Sequence, residues 1–446
     1  MSRAALPSRS AAWFEVEEWA SRVQSYGAQR NFDLPGHPWV SQLSRFLSHR
    51  LLLEEEVLSK LLEDHSPRVL RPFTEQLCWR TYWKGWLERR PEAWNAYLDE
   101  VNETRESLSP EQFERLCAAH EGKTGVACFD QWNAELRSTG YLHNHARMWY
   151  ASIWIFTLEL PWSLGAAHFL RHLLDGDPAS NTLSWRWVGG LHTPGKHYVA
   201  RAANIAKYTA GRFEPHDRLN ETPFPLKPGL PFCLDSLEER DPLGDARYPG
   251  LSESPVGLLL TAEDLAPEVG PLVDAPLHSI AAFSPLDVYE AIDLAPEVVR
   301  FKEEALRDAA RRGARHWGGP RAELREASEL PMPVVGGVET VGVDAPMRVY
   351  VGQVGMWVPS VVAWARRERL RSVRMYEPPV GPWRDRIRRL RVALRRHGID
   401  LKLHRRPWDT LHWPHATAGY FKFRKGLEGR LSAHLLKFRE ALEEES

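Results

Sequence analysis

The spacing of apolar residues changes part way along this 446-residue chain, and that change constrains the fold more than any other feature. From about residue 10 to residue 215, apolar residues recur every three or four positions, which is the period of amphipathic helices. The helical pattern covers 12–23, 38–50, 54–62, 74–89, 109–119, 129–139, 145–158 and 165–174. From residue 256 onward, short apolar runs alternate with helical patterns, as in a doubly wound and mostly parallel sheet.

Two domains of different class follow from this change of pattern. We predict an all-helical domain over 1–215, a linker rich in proline and glycine over 216–255, and an α/β, Rossmann-like domain over 256–446. The predicted strands are 256–261, 278–283, 347–353, 372–376 and 400–404, and the helices between them are 297–312, 359–370 and 384–396.

Composition excludes several classes of protein. Apolar residues make up 43% of the chain, which argues against disorder, and no apolar run reaches the roughly 20 residues of a membrane span. The first residues contain no apolar segment typical of a signal peptide, and the four cysteines are scattered. We therefore expect a reduced, cytoplasmic protein with no membrane partner and no metal site.

Charge is distributed unevenly, although the net charge is only −1. Acidic residues predominate between Asp235 and Glu304, and basic residues predominate between Arg366 and Arg406. The basic block is compatible with a nucleic-acid partner, with a solvated helix face, or with an intramolecular partner for the acidic stretch. Because charge alone is weak evidence for a partner, we favour the last two interpretations.

The richest motifs lie in the helical part of the chain. The segment GKTG at 122–125 lacks the upstream glycine and the strand of a nucleotide-hydrolysing loop. Taken singly, the other motifs have plain structural explanations, such as a helix cap for Asp175 or Asp177 and core packing for Trp149 or Trp162. In chain order, the motifs are YGAQRNF, VSQLSRFL, FTEQLCWRTYW, GKTG, TGYLHNHARM and DGDPASNTLSWRW.

This series of motifs resembles the flavin-binding helical domain of DNA photolyases and cryptochromes over residues 15–215. The family shows G-[KR]-T-G, then T-G-W-x-H-N-x-x-R-M, then D-x-D before N-x-x-x-W-x-W, with the same internal spacings. The resemblance implies FAD as cofactor. The residues that it assigns to the flavin are Tyr26, Ser41, Ser44, Phe73, Arg80, Asn144, Arg147, Asp175, Asp177 and Asn181. In particular, Arg147 would pair with Asp175 beside the isoalloxazine, and Asn181 would face the flavin N5, as in photolyases rather than several cryptochromes.

The resemblance also implies a DNA partner that contains pyrimidine dimers. The residues that it assigns to the flipped-out dimer or to bound DNA are Gln76, Trp79, Asn144, Met148, Trp187 and Lys207. Aromatic planes and an amide suit a damaged base pair that has left the stack. Gln76 departs from the family, which usually carries a glutamate there. We expect a basic rim around this pocket, formed by Arg80, Lys84, His143, Arg201 and Lys207.

Two tryptophans match the inner members of the family's electron-transfer chain, namely Trp185 and Trp162. The distal tryptophan of the family has no counterpart, because 98–121 contains no tryptophan. The chain is then either two-membered or completed by another aromatic residue, Tyr97 or Phe113.

The order of the domains differs from the usual photolyase order. The segment at 408–431, with its YFKFRK run, resembles the end of a photolyase antenna domain, and 256–268 resembles the first strand of that domain. The resemblance therefore implies an antenna-like α/β domain moved behind the helical domain. We consider the turn at 352–355 a candidate ligand position. The sequence leaves open whether a folate, a deazaflavin, a second flavin or no second chromophore is present.

The function that we predict from these motifs is blue-light-driven repair of cyclobutane pyrimidine dimers by electron transfer from reduced FAD, carried out by a monomer. The alternative is a cryptochrome-like photoreceptor that binds FAD and does not repair DNA. Asn181 and the pocket aromatics favour repair, whereas Gln76 and the missing distal tryptophan favour the photoreceptor.

Overall fold

The computed structural model describes residues 6–193, 195–216, 218–227, 232–235, 255–319, 322–330 and 347–444. Helices occupy the chain from Arg9 to Tyr208, and a six-stranded parallel sheet with its own helices follows from Val256. The architecture is therefore mostly helical with a parallel sheet, as predicted. Most of the predicted linker, 228–231 and 236–254, lies outside the described residues. The interpretation of the sheet as a relocated antenna domain stays a prediction.

Twelve α-helices precede the sheet in the described residues. They are α1 (Arg9–Ala20), α2 (Tyr26–Gln29), α3 (Ser44–Ser48), α4 (Glu54–Asp64), α5 (Pro67–Glu88), α6 (Glu92–Ser107), α7 (Pro110–Glu121), α8 (Ala127–Thr139), α9 (Asn144–Ser152), α10 (Trp162–His172), α11 (Pro178–Val188) and α12 (Ala202–Tyr208). The predicted helix at 38–50 is wrong over most of its length. His37, Gln42 and Arg50 have φ of 50°, 53° and 50°, and residues in this left-handed region interrupt a right-handed helix.

The longest of these helices, α5, is the centre of the helical half and receives residues from the far end of the sequence. Three helices follow the sheet, namely α17 (Pro407–His412), α18 (Tyr420–Arg424) and α19 (Leu427–Glu444), and they pack on α5 and α4. The Trp408 indole donates to Thr81 Oγ1 at 3.0 Å. A Cβ at Gly85 would lie 2.9 Å from Trp413 Cα, so glycine permits this close approach. Residues of the predicted α/β domain thus complete the helical core.

The sheet is parallel throughout its described strands, in the order β3-β4-β2-β1-β5-β6. The strands are β1 (Val256–Leu260), β2 (Ser279–Pro285), β3 (Glu323–Glu326), β4 (Arg348–Val354), β5 (Ser372–Tyr376) and β6 (Asp400–His404). Between them lie α13 (Leu286–Ala291), α14 (Pro296–Gly313), α15 (Trp357–Arg367) and α16 (Arg384–Arg395). Because α14 covers one face and α15 and α16 the other, the sheet is doubly wound, as predicted.

The crevice of this sheet lies between β1 and β5, where the strand order reverses, and not at the 352–355 turn that we predicted. Strand β4 continues to Val354, so Gly352 is part of the strand. An ion-pair cluster lies just beyond the carboxyl ends of β1 and β6. Arg406 donates to both oxygens of Asp264 at 2.6 and 2.9 Å, and Arg50 of the helical half donates to the same carboxylate at 3.2 Å. This ion-pair cluster joins the two halves of the molecule.

The basic block divides between intramolecular pairs and solvent. Arg386 of α16 donates to the Asp287 carbonyl at 2.8 Å, within the acidic stretch. Arg389, Arg391 and Arg395 are exposed on the same helix. The intramolecular interpretation therefore accounts for part of this block.

Candidate flavin site

The helices α5, α9 and α11 carry half of the residues that we predicted to hold the flavin, and α11 packs on both of the others. The local sequence Asp-Gly-Asp-Pro fixes where α11 begins. Asp177 is the N-cap, and its carboxylate accepts from the Ser180 backbone N–H at 2.6 Å, while Pro178 takes the first helical position. Asp177 is thus a helix cap, and its buried carboxylate also faces the site.

A two-pronged ion pair joins α9 to the loop before α11. Arg147 Nη1 and Nη2 donate to Asp175 Oδ1 and Oδ2 at 3.1 and 2.9 Å, and Arg147 Nε donates to the Leu142 carbonyl at 2.9 Å. Burial tends to raise the pKa of Asp175, but the charge and hydrogen bonds of Arg147, together with Ser44 and Arg80, outweigh burial and lower the pKa overall. The pair expected between Arg147 and Asp175 is therefore present, and the carboxylate is ionised at neutral pH.

A second buried ion pair links α5 to the N-cap of α11. Lys84 Nζ lies 3.2 Å from Asp177 Oδ2, and the two residues are 3% and 4% exposed. Burial acts to raise the pKa of Asp177, and the charges of Lys84 and Arg80, together with hydrogen bonds from Ser180, outweigh burial and lower the pKa overall. The prediction that Lys84 lies on a basic rim for DNA is wrong, because this ammonium is buried against Asp177.

His143 is buried as well, so it does not belong to the predicted basic rim. Its side chain is 1% exposed and stacks on His37 at a ring distance of 5.9 Å. Burial lowers the pKa of His143 to about 4, so the ring is neutral at physiological pH. Of the predicted rim, Arg201 and Lys207 are exposed, and Arg80 is partly buried.

The partly buried Arg80 ties α5 to α3, which begins at Ser44, one of the residues that the resemblance assigns to the flavin. Arg80 Nη1 donates to Ser48 Oγ at 2.6 Å, and Nη2 donates to the Ser44 carbonyl at 3.2 Å. Ser48 Oγ in turn donates to the Asp175 carbonyl at 3.0 Å. Ser41 Oγ accepts from a backbone N–H within its own turn at 3.4 Å. Arg80 and Ser48 therefore lie next to the ion pair of Arg147 and Asp175.

Tyr26 and Phe73 form an aromatic wall with Trp19. The Tyr26 ring meets the Phe73 ring edge to face at 5.6 Å and the Trp19 ring at 5.5 Å. Burial raises the pKa of the Tyr26 hydroxyl, which therefore keeps its proton. Tyr26 and Phe73, both predicted near the flavin, are thus in contact with each other. Trp19 also contacts Tyr26, and the motifs gave no indication of Trp19.

The Asn181 amide has a fixed orientation. Its Nδ2 donates to the Ala166 carbonyl at 2.8 Å, and no hydrogen bond to Oδ1 occurs among the described residues. Trp185 lies one turn further along α11, and a Cβ at Gly165 would lie 2.3 Å from its ring, so only glycine fits beneath this tryptophan. The Trp185 indole N–H is buried without a partner in the described part of the chain.

A row of aromatic rings continues from Trp162, at the start of α10, to α6. The ring centroids of Trp162 and Tyr97 are 5.8 Å apart, and those of Tyr97 and Trp94 are 5.4 Å apart. Phe113, the other predicted distal candidate, is 57% exposed and has no ring contact among the described residues. Geometry therefore favours Tyr97 over Phe113 as the aromatic residue beyond Trp162.

The two tryptophans predicted to hold a dimer lie against different tyrosines. The Trp79 ring stacks on Tyr420 with centroids 3.6 Å apart and planes inclined by 10°, and Trp187 stacks on Tyr198 at 5.6 Å. Tyr420 donates its hydroxyl hydrogen to the Glu75 carbonyl at 2.9 Å. One face of Trp79 is therefore covered by α18. The motifs at 73–83 gave no indication of this contact, although Tyr420 lies in the YFKFRK run.

The remaining predicted pocket residues lie on α5 and α9. Asn144 is exposed at the start of α9, and its amide lies 3.8 Å from the Met148 sulfur one turn later. Gln76 is partly buried on α5, one turn before Trp79. Asn144 and Met148 thus share one face of α9.

The part of the chain that the structure describes contains neither a membrane-spanning helix nor a metal site. No helix there is long and apolar enough to cross a membrane. The described residues also contain no group of three or more His, Cys, Asp or Glu side chains arranged to hold a metal ion.

Comparison with known proteins identifies the class of this helical region. Residues 73–218 match the family described as the FAD binding domain of DNA photolyase. The chain is 29% identical to the deoxyribodipyrimidine photo-lyase of Vibrio cholerae over 40% of this chain and 38% of that protein. It is 38% identical to the same-named protein of Streptomyces griseus over 27% of this chain and 26% of that protein. Part of this chain is thus similar to DNA photolyases, and each of these two relatives is covered over less than half of its length.

Two solved structures also overlap part of the chain. The cryptochrome of Synechocystis sp. PCC6803 superposes with a TM-score of 0.41 and 20% identity over 46% of this chain and 43% of that chain. A class III photolyase of Agrobacterium tumefaciens superposes with a TM-score of 0.39 and 24% identity over the same shares.

The residues present fit FAD in their donor and acceptor chemistry. The free Asn181 Oδ1 is an acceptor for an N–H such as that at the N5 of a reduced flavin. The Arg147 guanidinium supplies a cation for an anionic ring system, and the Arg80 guanidinium, which contacts Ser48 Oγ and the Ser44 carbonyl, supplies a second cation for an anionic group.

Proposed function

We propose that this protein binds FAD and repairs cyclobutane pyrimidine dimers in DNA under blue light. The observations that carry the proposal are the Arg147–Asp175 ion pair and the oriented Asn181 amide, which lie within the region that matches a photolyase FAD-binding domain. When bound and reduced, FAD would supply the electron that splits the dimer. The protein supplies positioning and electrostatics around that chemistry.

Each of these residues has a definite task in this proposal. Asp175 holds the Arg147 guanidinium in one orientation through two hydrogen bonds, so the cation is fixed before the flavin arrives. The Ala166 carbonyl holds the Asn181 amide so that Oδ1 accepts from the ring. Lys84 neutralises the Asp177 carboxylate, which caps α11 and thereby fixes the helix that carries Asn181.

The lesion is recognised by aromatic faces and a few polar edges. Trp79 and Trp187 offer their free faces to the unstacked bases, and Asn144 and Gln76 offer amides to the base edges. Stacking of this kind contributes roughly 1–3 kcal/mol per base. An unpaired lesion costs less to flip out than an intact pair, which gives the preference for damage.

The test begins with the visible absorption spectrum of the purified protein, which reports the flavin and its redox form. Reduced protein is then incubated with dimer-containing DNA under blue light and in the dark, and the loss of dimers is measured. Light-dependent loss of dimers is expected. The absence of such loss in protein that contains reduced flavin would refute repair.

A photoreceptor that binds FAD without repairing DNA is the second candidate. The stacking of Tyr420 on Trp79 at 3.6 Å favours it, because one face of a predicted lesion-binding ring is already covered. Gel-shift titration with a dimer-containing duplex and the undamaged duplex separates the two candidates. A repair enzyme prefers the damaged duplex and loses that preference in Trp79→Ala while retaining flavin, whereas a photoreceptor binds both duplexes alike.

A further inference from the structure

A cavity of about 340 Å³ opens beside α12. Its lining contains none of the residues that we assigned to the flavin or to the dimer, although Arg201 belongs to the basic rim that we predicted around the dimer pocket. Its volume lies within the roughly 300–1,000 Å³ of small-molecule sites. The side chains that matter for its chemistry are Asn31, His145, Tyr198, Arg201, Asn204 and Tyr208. Arg201, Asn204 and Tyr208 share one side of α12, because they are three and four residues apart.

The polar groups of the cavity have fixed hydrogen-bonding roles. The Trp149 indole donates to Asn204 Oδ1 at 3.1 Å, so Asn204 Nδ2 is left as a donor with no partner among the described residues. His145 Nδ1 lies 2.8 Å from the Asn31 carbonyl, which can only accept, so this nitrogen carries the proton. Burial lowers the pKa of His145, so its ring is neutral and Nε2 is left as an acceptor.

Aromatic and cationic groups surround this donor and acceptor. The rings of Tyr198 and Tyr208 line the cavity, and the His145 ring lies 5.2 Å from that of Tyr208. Arg201 is exposed at the start of α12, and the Lys207 ammonium lies 4.9 Å from the Tyr208 ring. A nucleobase requires an aromatic face with a donor and an acceptor for its edge, and its phosphate requires a cation.

We infer that this cavity binds a nucleotide, with the base against the tyrosine rings, its edge on Asn204 and His145, and its phosphate on Arg201. The ligand is either a nucleotide within a DNA strand or a free mononucleotide. Tyr198 also stacks on Trp187, so a strand that reaches the proposed lesion pocket passes this cavity. The inference goes beyond the proposed function, since neither flavin binding nor dimer splitting requires a second nucleotide site.

The test is calorimetric titration of the full chain with thymidine monophosphate, deoxyadenosine monophosphate and undamaged single-stranded oligothymidylate of five residues. Two variants probe the cavity. Asn204→Asp keeps an oxygen for the Trp149 indole and replaces the donor with a carboxylate, and Arg201→Ala removes an exposed cation. Lys123→Ala is the matched control, because it removes an exposed cation outside the cavity.

Binding by the wild type is expected to weaken at least tenfold in Asn204→Asp and at least fivefold in Arg201→Ala, and to change less than twofold in Lys123→Ala. Comparable affinity for a mononucleotide and the oligonucleotide identifies a free nucleotide as the ligand, whereas binding of the oligonucleotide alone identifies a strand. Absence of binding up to millimolar concentration, or equal binding by wild type and both variants, would overturn the inference.

Two further measurements keep this test interpretable. Circular dichroism and the flavin-to-protein ratio check that each variant is folded. If Asn204→Asp does not fold, Arg201→Ala alone decides the outcome. A protein without flavin absorption would refute the proposed function and leave nucleotide binding measurable, so the two failures are distinguishable.

Discussion

Replacing Asp175 with asparagine tests whether the ion pair with Arg147 organises the candidate flavin site. The asparagine keeps one acceptor of similar shape and removes the charge and one of two hydrogen bonds. Breaking a fully buried ion pair costs about 3–5 kcal/mol. Here the Arg147 side chain is 23% exposed and keeps its bond to the Leu142 carbonyl. We therefore expect Asp175→Asn to lower the free energy of unfolding by about 2 kcal/mol.

The assay is urea denaturation followed by circular dichroism and tryptophan fluorescence, at several pH values. The pKa of Asp175 is lowered in the folded protein, so its stabilising effect is present above the unfolded value of about 3.9 and is lost only as the pH falls below it. The difference between wild type and variant should thus be constant from pH 6 to pH 8. Flavin content per protein should also fall.

A matched control uses an exposed ion pair. Glu121 and Lys123 lie 2.8 Å apart with exposed side chains, and Glu121→Gln should leave the unfolding midpoint unchanged. A loss below about 0.5 kcal/mol in Asp175→Asn would refute the reasoning, because it would show that solvent screens this pair as it screens surface pairs.

Three further predictions follow from other contacts. Tyr97→Phe and Trp162→Phe should each slow the light-driven reduction of bound flavin, which is followed by absorbance. An unchanged rate in Tyr97→Phe would exclude this tyrosine from the electron-transfer path. Burial alone would lower the pKa of His37, but its contacts with the Asp33 and Glu135 carboxylates, at 3.4 and 2.6 Å, together raise the pKa to about 9. The stabilising effect of these contacts is therefore complete below about pH 6.5 and is lost as the pH rises through 9. In thermal melts, His37→Gln should cost stability at pH 6 and little at pH 10. Tyr420→Ala should weaken the binding of dimer-containing duplex severalfold in gel shifts. Tyr420→Phe should retain that binding, because stacking on Trp79 requires only the ring. Equal binding by both variants would refute a role for Tyr420 in positioning Trp79.

Much of the fold could be predicted from apolar spacing, because periodic segments bury one face each. Strands β5 and β6 begin and end where the pattern predicts. The helix Glu92–Ser107 was missed, since its sequence is polar and only four of its residues are buried. The edge strand Glu323–Glu326 was missed because it lacks an apolar run.

The candidate site was predictable only as far as local motifs reach. The contact between Arg147 and Asp175, 28 residues apart, was expected only because their motifs resemble those of a known family, and the structure contains it. The burial of Lys84 was not predictable, because a lysine on a helix is usually exposed. Lys84 is buried only because it pairs with Asp177, the N-cap of another helix. Tyr420 could not be placed against Trp79, since no local pattern encodes a pairing across that distance.

The return of the chain onto α5 has a consequence for synthesis. Tyr420 and Glu75 are hydrogen-bonded across 345 positions, and Trp408 and Thr81 across 327. A ribosome adds roughly 5–20 residues per second, so α5 emerges many seconds before its partners. During that interval the helical half has an incomplete core and an exposed apolar surface on its central helix. The nascent chain should therefore depend on chaperones, and it should acquire its flavin only after residue 420 has left the ribosome.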